Sequence, residues 1–158
     1  MDRKDFDSTL DFLLFKAEDL IPEENLPDLP YMDLAPDVHE WYDFEHRLWE
    51  IGEDIRLFLS ENKNKLTKNQ IERIVSICLD KMAKRGRQSF VLLLGKKIYN
   101  SYADKIVTVL YDDDVDGQVI DTLYKMGAKE YVELIEPFLA HNRTWIRNEA
   151  KRYILKYK

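Results

Sequence analysis

The sequence has a single cysteine, Cys78, among its 158 residues. That excludes an internal disulfide framework and any Cys-rich metal site. Glycine is scarce, with five residues where average usage of about 7% would give about eleven. Those five (Gly52, Gly86, Gly95, Gly117 and Gly127) are scattered, so no Gly-rich phosphate loop is present. No apolar run approaches the ~18 residues that a membrane span needs. The opening stretch, MDRKDFDSTLDF, carries acids where a secretory leader would carry bases and then an apolar segment. The protein is therefore expected to stay in the cytoplasm. With 45% hydrophobic and 34% charged residues, the balance is that of a folded soluble chain. Its length suits one domain, residues 1–158, which buries enough surface to need no disulfide or metal.

Charge is unevenly divided. Residues 1–60 hold 17 Asp and Glu against 5 Lys and Arg, whereas residues 61–158 hold 13 against 19. The stretch 63–97 concentrates ten bases against only Glu72 and Asp80. Such runs are commonly solvated faces, and the two halves could also attract one another across a fold. Alternatively, one pole steers a partner of opposite sign.

Apolar spacing predicts helices throughout. Asp7 or Ser8 is placed to cap a first helix running to about Asp19. Pro22, Pro27, Pro30 and Pro36 make residues 20–37 the one long connection. Asp37 then begins a helix to about Asn62, in which Trp41, Phe44, Leu48, Ile51, Ile55 and Phe58 form one stripe. Opposite that stripe lie Glu40, Asp43, Arg47, Glu50 and Asp54, an acidic rail. Thr67 caps the next helix, with Ile71, Ile74, Val75, Cys78 and Met82 inward, and Gly86 is expected to end it. Helices are further expected over 90–99, 102–111, 115–127, 130–141 (bent at Pro137) and 143–157. No alternating strand pattern appears.

The sequence carries no recognisable catalytic constellation. His39 and His46 are seven residues apart, not the three or four of a helical metal pair, and His141 is isolated. No serine sits in a G-x-S-x-G elbow. Cys78 falls on the inward stripe, where a thiol behaves as a small hydrophobe. The run Asp112-Asp113-Asp114-Val115-Asp116 lacks the Gly and Glu positions of a calcium loop and reads as a polar turn before a helix. No catalytic residue, metal site or cofactor is expected.

The second half repeats. Val115-Asp116-x-x-Val119-x-x-Thr122-Leu123 matches Ile146-Arg147-x-x-Ala150-x-x-Tyr153-Ile154 at an offset of 31 residues. Each follows a shorter amphipathic segment and a polar turn, Asp112–Asp114 or His141–Thr144. In this pattern the sequence resembles HEAT-like repeats of the short type, in which a polar turn and Val-Arg precede the second helix. Ile146-Arg147 keeps that feature; Val115-Asp116 departs from it. Residues 68–100 look like a degenerate further copy. The resemblance implies an all-α fold, an α-α superhelix of about three helix pairs over 68–158, with residues 1–62 as an acidic helical cap. One pair cannot bury both apolar faces, so pairs stack and share a core.

The expected function is non-enzymatic protein binding. The small, acidic, helical character is similar to that of bacterial immunity proteins, which cover and neutralise a toxin domain. Nuclease toxins are basic, so an acidic inhibitor would be steered onto them. The candidate partner-binding residues are Glu40, Asp43, Glu50, Asp54, Asp112, Asp113, Asp114, Asp116 and Trp49. The alternative is nucleic-acid binding through Lys81, Lys84, Arg85, Arg87, Lys96 and Lys97, as in HEAT-like repair glycosylases. The sequence pI of 5.2 argues against it, since nucleic-acid-binding domains usually exceed about 9. A general scaffold is a further alternative, as is an enzyme-associated module like the HEAT-like bilin lyases, although no converging polar groups suggest a ligand cavity.

Overall fold

The computed structural model describes residues 1–158 and contains eight α-helices, five 3-10 segments and no strand. The chain divides into two compact units, residues 1–90 and 91–158. No helix is long and apolar enough to cross a membrane.

In the first unit, α1 (Arg3–Leu20) starts earlier than its sequence suggests. Asp2, not Asp7 or Ser8, is the cap, and its carboxylate accepts the Asp5 N–H at 2.8 Å. Phe6, Leu10, Leu14 and Ala17 form its buried stripe. Helix α2 (Asp43–Glu61) starts six residues later than Asp37. The reason is non-local. The Val38 carbonyl accepts from Met32 N–H at 2.7 Å, and Glu40 N–H donates to the Pro30 carbonyl at 2.8 Å, closing an isolated bridge between Tyr31 and His39. Backbone groups that a longer helix would use are thereby spent. Phe6 stacks on Phe58 at 5.2 Å, setting α1 antiparallel to α2. On α2, Leu48, Ile51 and Ile55 are buried as expected, while Phe44 and Phe58, and Trp41 in the segment before the helix, are only half-buried.

Helix α3 (Lys68–Leu79) carries the expected Thr67 cap as a full capping box: Gln70 N–H to Thr67 Oγ1 at 3.1 Å and Thr67 N–H to Gln70 Oε1 at 2.9 Å. Gln70 then donates to Asp7 and Asp11, and Arg73 forks onto Glu18 at 2.6 and 3.0 Å, fastening α3 to α1. The helix ends at Leu79, before Gly86. Asp80 caps a 3-10 segment, Lys81–Arg87, that is broken at Lys84 by φ 50° and ψ −137°. Gly86 is needed for close approach, not for ending a helix. A Cβ there would lie 2.8 Å from a Leu48 methyl and 3.1 Å from the Glu45 carbonyl. Helix α4 (Gln88–Leu93) is shorter than the 90–99 expected, because tight turns close at Leu94 and Gly95.

The second unit is built from two rod-and-helix pairs. The first rod is the 3-10 segment Lys97–Tyr102, α5 (Ala103–Ile106) and the 3-10 segment Val107–Val109; α6 (Asp116–Met126) follows. Gly127, at φ 70°, ends α6 in a Schellman motif, with Ala128 N–H on the Leu123 carbonyl and Gly127 N–H on that of Tyr124. The second rod is the 3-10 segment Lys129–Tyr131, α7 (Val132–Ile135) and the 3-10 segment Glu136–Ala140; α8 (Thr144–Tyr157) follows. The change from α to 3-10 geometry falls at Glu136, beside Pro137.

The 31-residue offset survives in the packing. Val115, Val119 and Thr122 are buried, as are their counterparts Ile146, Ala150 and Tyr153. Asp121 and Arg152, also 31 apart, form an ion pair at 2.5 Å. The Trp145 ring lies over Gly117, where any Cβ would meet it at 2.2 Å.

Candidate partner-binding groove

The outward face of α2 meets the outward face of α1 along a shallow groove of about 400 Å³. Its lining comes from Phe15, Lys16, Asp19 and Leu20 of α1 and Arg47, Glu50, Ile51 and Asp54 of α2. The geometry follows from helix period. Phe12, Phe15 and Asp19 lie off the Phe6–Ala17 stripe, so they face outward. Phe15 is 62% exposed, and Phe12, 60% exposed, carries the Lys16 ammonium 5.6 Å from its ring centroid. Asp19, Glu50 and Asp54 are exposed, and none of them forms an ion pair within the chain. Arg47 reaches only Asp43, at 3.9 Å.

The groove gathers part of the expected acidic rail. Glu50 and Asp54 line it, Asp43 flanks it through Arg47, and Glu40 is exposed in the segment before α2. Trp49 is separate. One residue from Glu50 is a turn of about 100° around a helix. Its side chain therefore points elsewhere, while its carbonyl accepts Ser89 Oγ–H at 2.9 Å. Phe12, Phe15 and Asp19 were not among the expected residues, although two phenylalanines off an apolar stripe are a readable signal.

The basic residues need correction. Lys84 is 7% exposed, with Nζ 3.2 Å from Asp28. Arg87 is fully buried and donates to the carbonyls of Lys84 and Cys78. Arg85 is nearly enclosed. Its Nε lies 3.3 Å from the buried Glu45 carboxylate, and its two Nη atoms donate to the carbonyls of His39 at 2.5 Å and Glu40 at 2.6 Å. The Trp41 ring lies beneath it at 5.2 Å. These three cations hold the 28–42 segment and the inner turn; they do not present a phosphate-binding face. Lys81, Lys96 and Lys97 remain exposed.

The acidic turn of the second unit also divides. Asp113 is exposed, while Asp112 and Asp114 are half-buried, with the Asp114 N–H on the Asp112 carboxylate at 3.0 Å. Asp116 is withdrawn from the surface at 5% exposure. It accepts the Gly117 N–H at 2.7 Å and faces His141 Nε2 at 3.3 Å. Burial pushes its carboxyl up, against the opposing pull of the Gly117 N–H and His141. His141 Nδ1 accepts the Arg143 N–H at 3.0 Å, which places a proton on Nε2, towards Asp116. No group of three or more His, Cys, Asp or Glu side chains is placed to hold a metal ion. Cys78 is sealed, and burial raises its thiol to about 12.

No protein-family model, curated protein or solved structure matches this chain.

Proposed function

We propose that this chain is a non-enzymatic protein-binding module whose first unit receives a basic partner. In its narrowest form it is an immunity protein that covers a basic toxin domain such as a nuclease. One observation carries the reading: Asp19, Glu50 and Asp54, all without an ion-pair partner, line one groove with the exposed Phe15 and outnumber its two bases, Lys16 and Arg47. Exposed aromatic surface rimmed by polar groups is a common mark of protein interaction sites. Charge composition favours the same unit. Residues 1–90 hold 20 acids against 13 bases, whereas residues 91–158 hold 10 against 11. Support for a non-enzymatic role comes from His39 and His141, both engaged by backbone groups, and from the sealed thiol. The repeated burial register supports reading residues 91–158 as HEAT-like helix pairs in a solenoid.

The test is affinity capture by the tagged full chain from its own host, with nuclease treatment, followed by co-expression with any toxin so captured. A stoichiometric basic protein retained by the wild type and lost by E50K/D54K is the expected result, with protection of cells for the immunity form. Co-purifying nucleic acid that salt removes and E50K/D54K leaves unchanged would overturn the reading.

A further inference from the structure

We infer that the α1–α2 groove takes one amphipathic helix of its partner, with apolar anchors at i and i+3 or i+4 and Lys or Arg on both flanks. The inference rests on the protein-binding reading and specifies what is bound.

The charge requirement comes first. Covering the groove takes Asp19, Glu50 and Asp54 out of water, and no cation of this chain is paired with them. Lys16 and Arg47 also line the groove, but Lys16 lies over the Phe12 ring and Arg47 reaches Asp43, so the three carboxylates outnumber and are not paired with them. A purely apolar partner would desolvate that excess of acid, which favours an occupant that brings cations. The floor sets the second requirement. The exposed Phe15 and half-buried Leu20 offer apolar surface in the same lining, with the buried Ile51 at its base, which calls for apolar side chains along the middle of the occupant.

Backbone form follows from the fold. The unit has no strand whose edge an extended peptide could join; its only bridge, Tyr31 with His39, is isolated. What it offers is the seam between two antiparallel helices, which a third helix can fill by ridge-into-groove packing. The lining on α2 runs from Arg47 to Asp54. That is about 10 Å of helix, or about two turns, so the occupant meets it with anchors one turn apart. The chain itself carries a competing candidate, the basic α8 with Leu155 80% exposed beside Lys151 and Lys156. A second copy is therefore a defined rival.

The probe is a stapled peptide of about four turns, with leucines on one face and lysines on both flanks. Binding to the full chain is read by fluorescence polarisation. The same composition with leucines scattered around the helix, and a glutamate-flanked version, serve as controls. The expected result is binding of the amphipathic basic peptide that falls by about tenfold or more in F15S and in E50K/D54K, with a change at the exposed Glu133, E133K, leaving it unchanged. Phe15 is largely exposed, so F15S should fold, and circular dichroism checks this. Equal binding of the scattered peptide would reduce the effect to charge attraction and overturn the inference. Affinity unmoved by F15S would overturn it too. Concentration-dependent self-association of the full chain, lost in L155D and in F15S, would give the groove to a second copy and overturn it. A captured partner that F15S still binds at full strength would remove the groove assignment alone and leave the protein-binding reading standing.

Discussion

Replacing Glu45 with Gln tests whether the first unit is held by its buried ion pair. Glu45 is fully buried at the start of α2, and its two oxygens have three jobs. Oε1 accepts the Tyr42 N–H at 2.9 Å; Oε2 accepts the Arg85 N–H at 2.9 Å and faces Arg85 Nε at 3.3 Å. A carboxamide has one oxygen, so E45Q leaves at least one backbone N–H without its acceptor. It also leaves the Arg85 guanidinium without a counter-charge. Breaking a buried pair from one side usually costs about 3–5 kcal/mol. Arg85 keeps the His39 and Glu40 carbonyls and the Trp41 face, which places the loss near the lower bound, about 3 kcal/mol. With a urea m-value of about 2 kcal/mol/M, the midpoint should fall by about 1.5 M.

Two readouts make this specific. Hydrogen exchange should accelerate at the amides of Tyr42 and Arg85 before global unfolding, because those are the donors Glu45 satisfies. In a double-mutant cycle, E45Q/R85M should be less destabilised than the two single changes added together, by at least about 1 kcal/mol, since the second change removes the stranded charge. A loss under about 0.5 kcal/mol for E45Q, or strict additivity in the cycle, would show that the pair does not hold the 28–42 segment and would refute the reasoning.

Three further changes probe separate features. Lys84 has φ 50°, where a Cβ is unfavourable, so K84G should be more stable than K84A by about 1 kcal/mol, the reverse of the order at a helical site; equal urea midpoints would contradict the strain. At Gly117 a Cβ would sit 2.2 Å from the Trp145 ring, so G117A should lose about 1–2 kcal/mol despite alanine's better helix propensity, and should red-shift Trp145 emission in a W41F/W49F background; a gain in stability would show the contact is loose. Burial raises the folded carboxyl of Asp116, so the native state holds that proton more tightly than the unfolded chain. Its contribution to stability is therefore full at low pH and is lost as pH rises through the raised folded value. D116N should gain stability relative to wild type as pH rises above the ordinary carboxylate range towards the raised folded value, and a difference that shrinks over that rise would reverse the sign of the argument.

The features readable in the sequence are those set by local chemistry. Thr67 with Gln70 announces a capping box, and Gly127 announces a left-handed stop. The 31-residue pattern locates α6 and α8 within a residue or two because each buried position repeats at its own turn. What could not be read depends on residues far apart in the chain. Asp37 has good cap chemistry, yet the backbone after it pairs with residues 30–32 and then binds Arg85, which lies more than forty residues on. The bases at 84–87 look solvated as a run, and it takes distant partners to turn them inward: Asp28 for Lys84, the Cys78 carbonyl for Arg87, and Glu45 of α2 with the His39 and Glu40 carbonyls for Arg85. One clue was present. Glu45 lies four residues after Trp41 and three before Leu48, on the apolar stripe itself. An acid at such a position needs a buried cation, and the basic run was the available source.

That inward turn bears on the surface left behind. The first unit's sequence has 20 acids and 13 bases. Folding withdraws three of those bases, Lys84, Arg85 and Arg87, and only one of those acids, Glu45. Nineteen acids then face ten bases at or near the surface, a sharper imbalance than composition conveys. The cations that invited a nucleic-acid reading thus strengthen the opposite one by leaving the surface. They also tie the 28–42 segment down through Asp28, His39 and Glu40, so the acids of that segment stay near the head of α2. A basic partner drawn by this field would meet its attraction at long range from the whole unit and its fit at short range from the groove around Phe15. Salt should therefore slow its arrival, while loss of the Phe15 ring should hasten its departure.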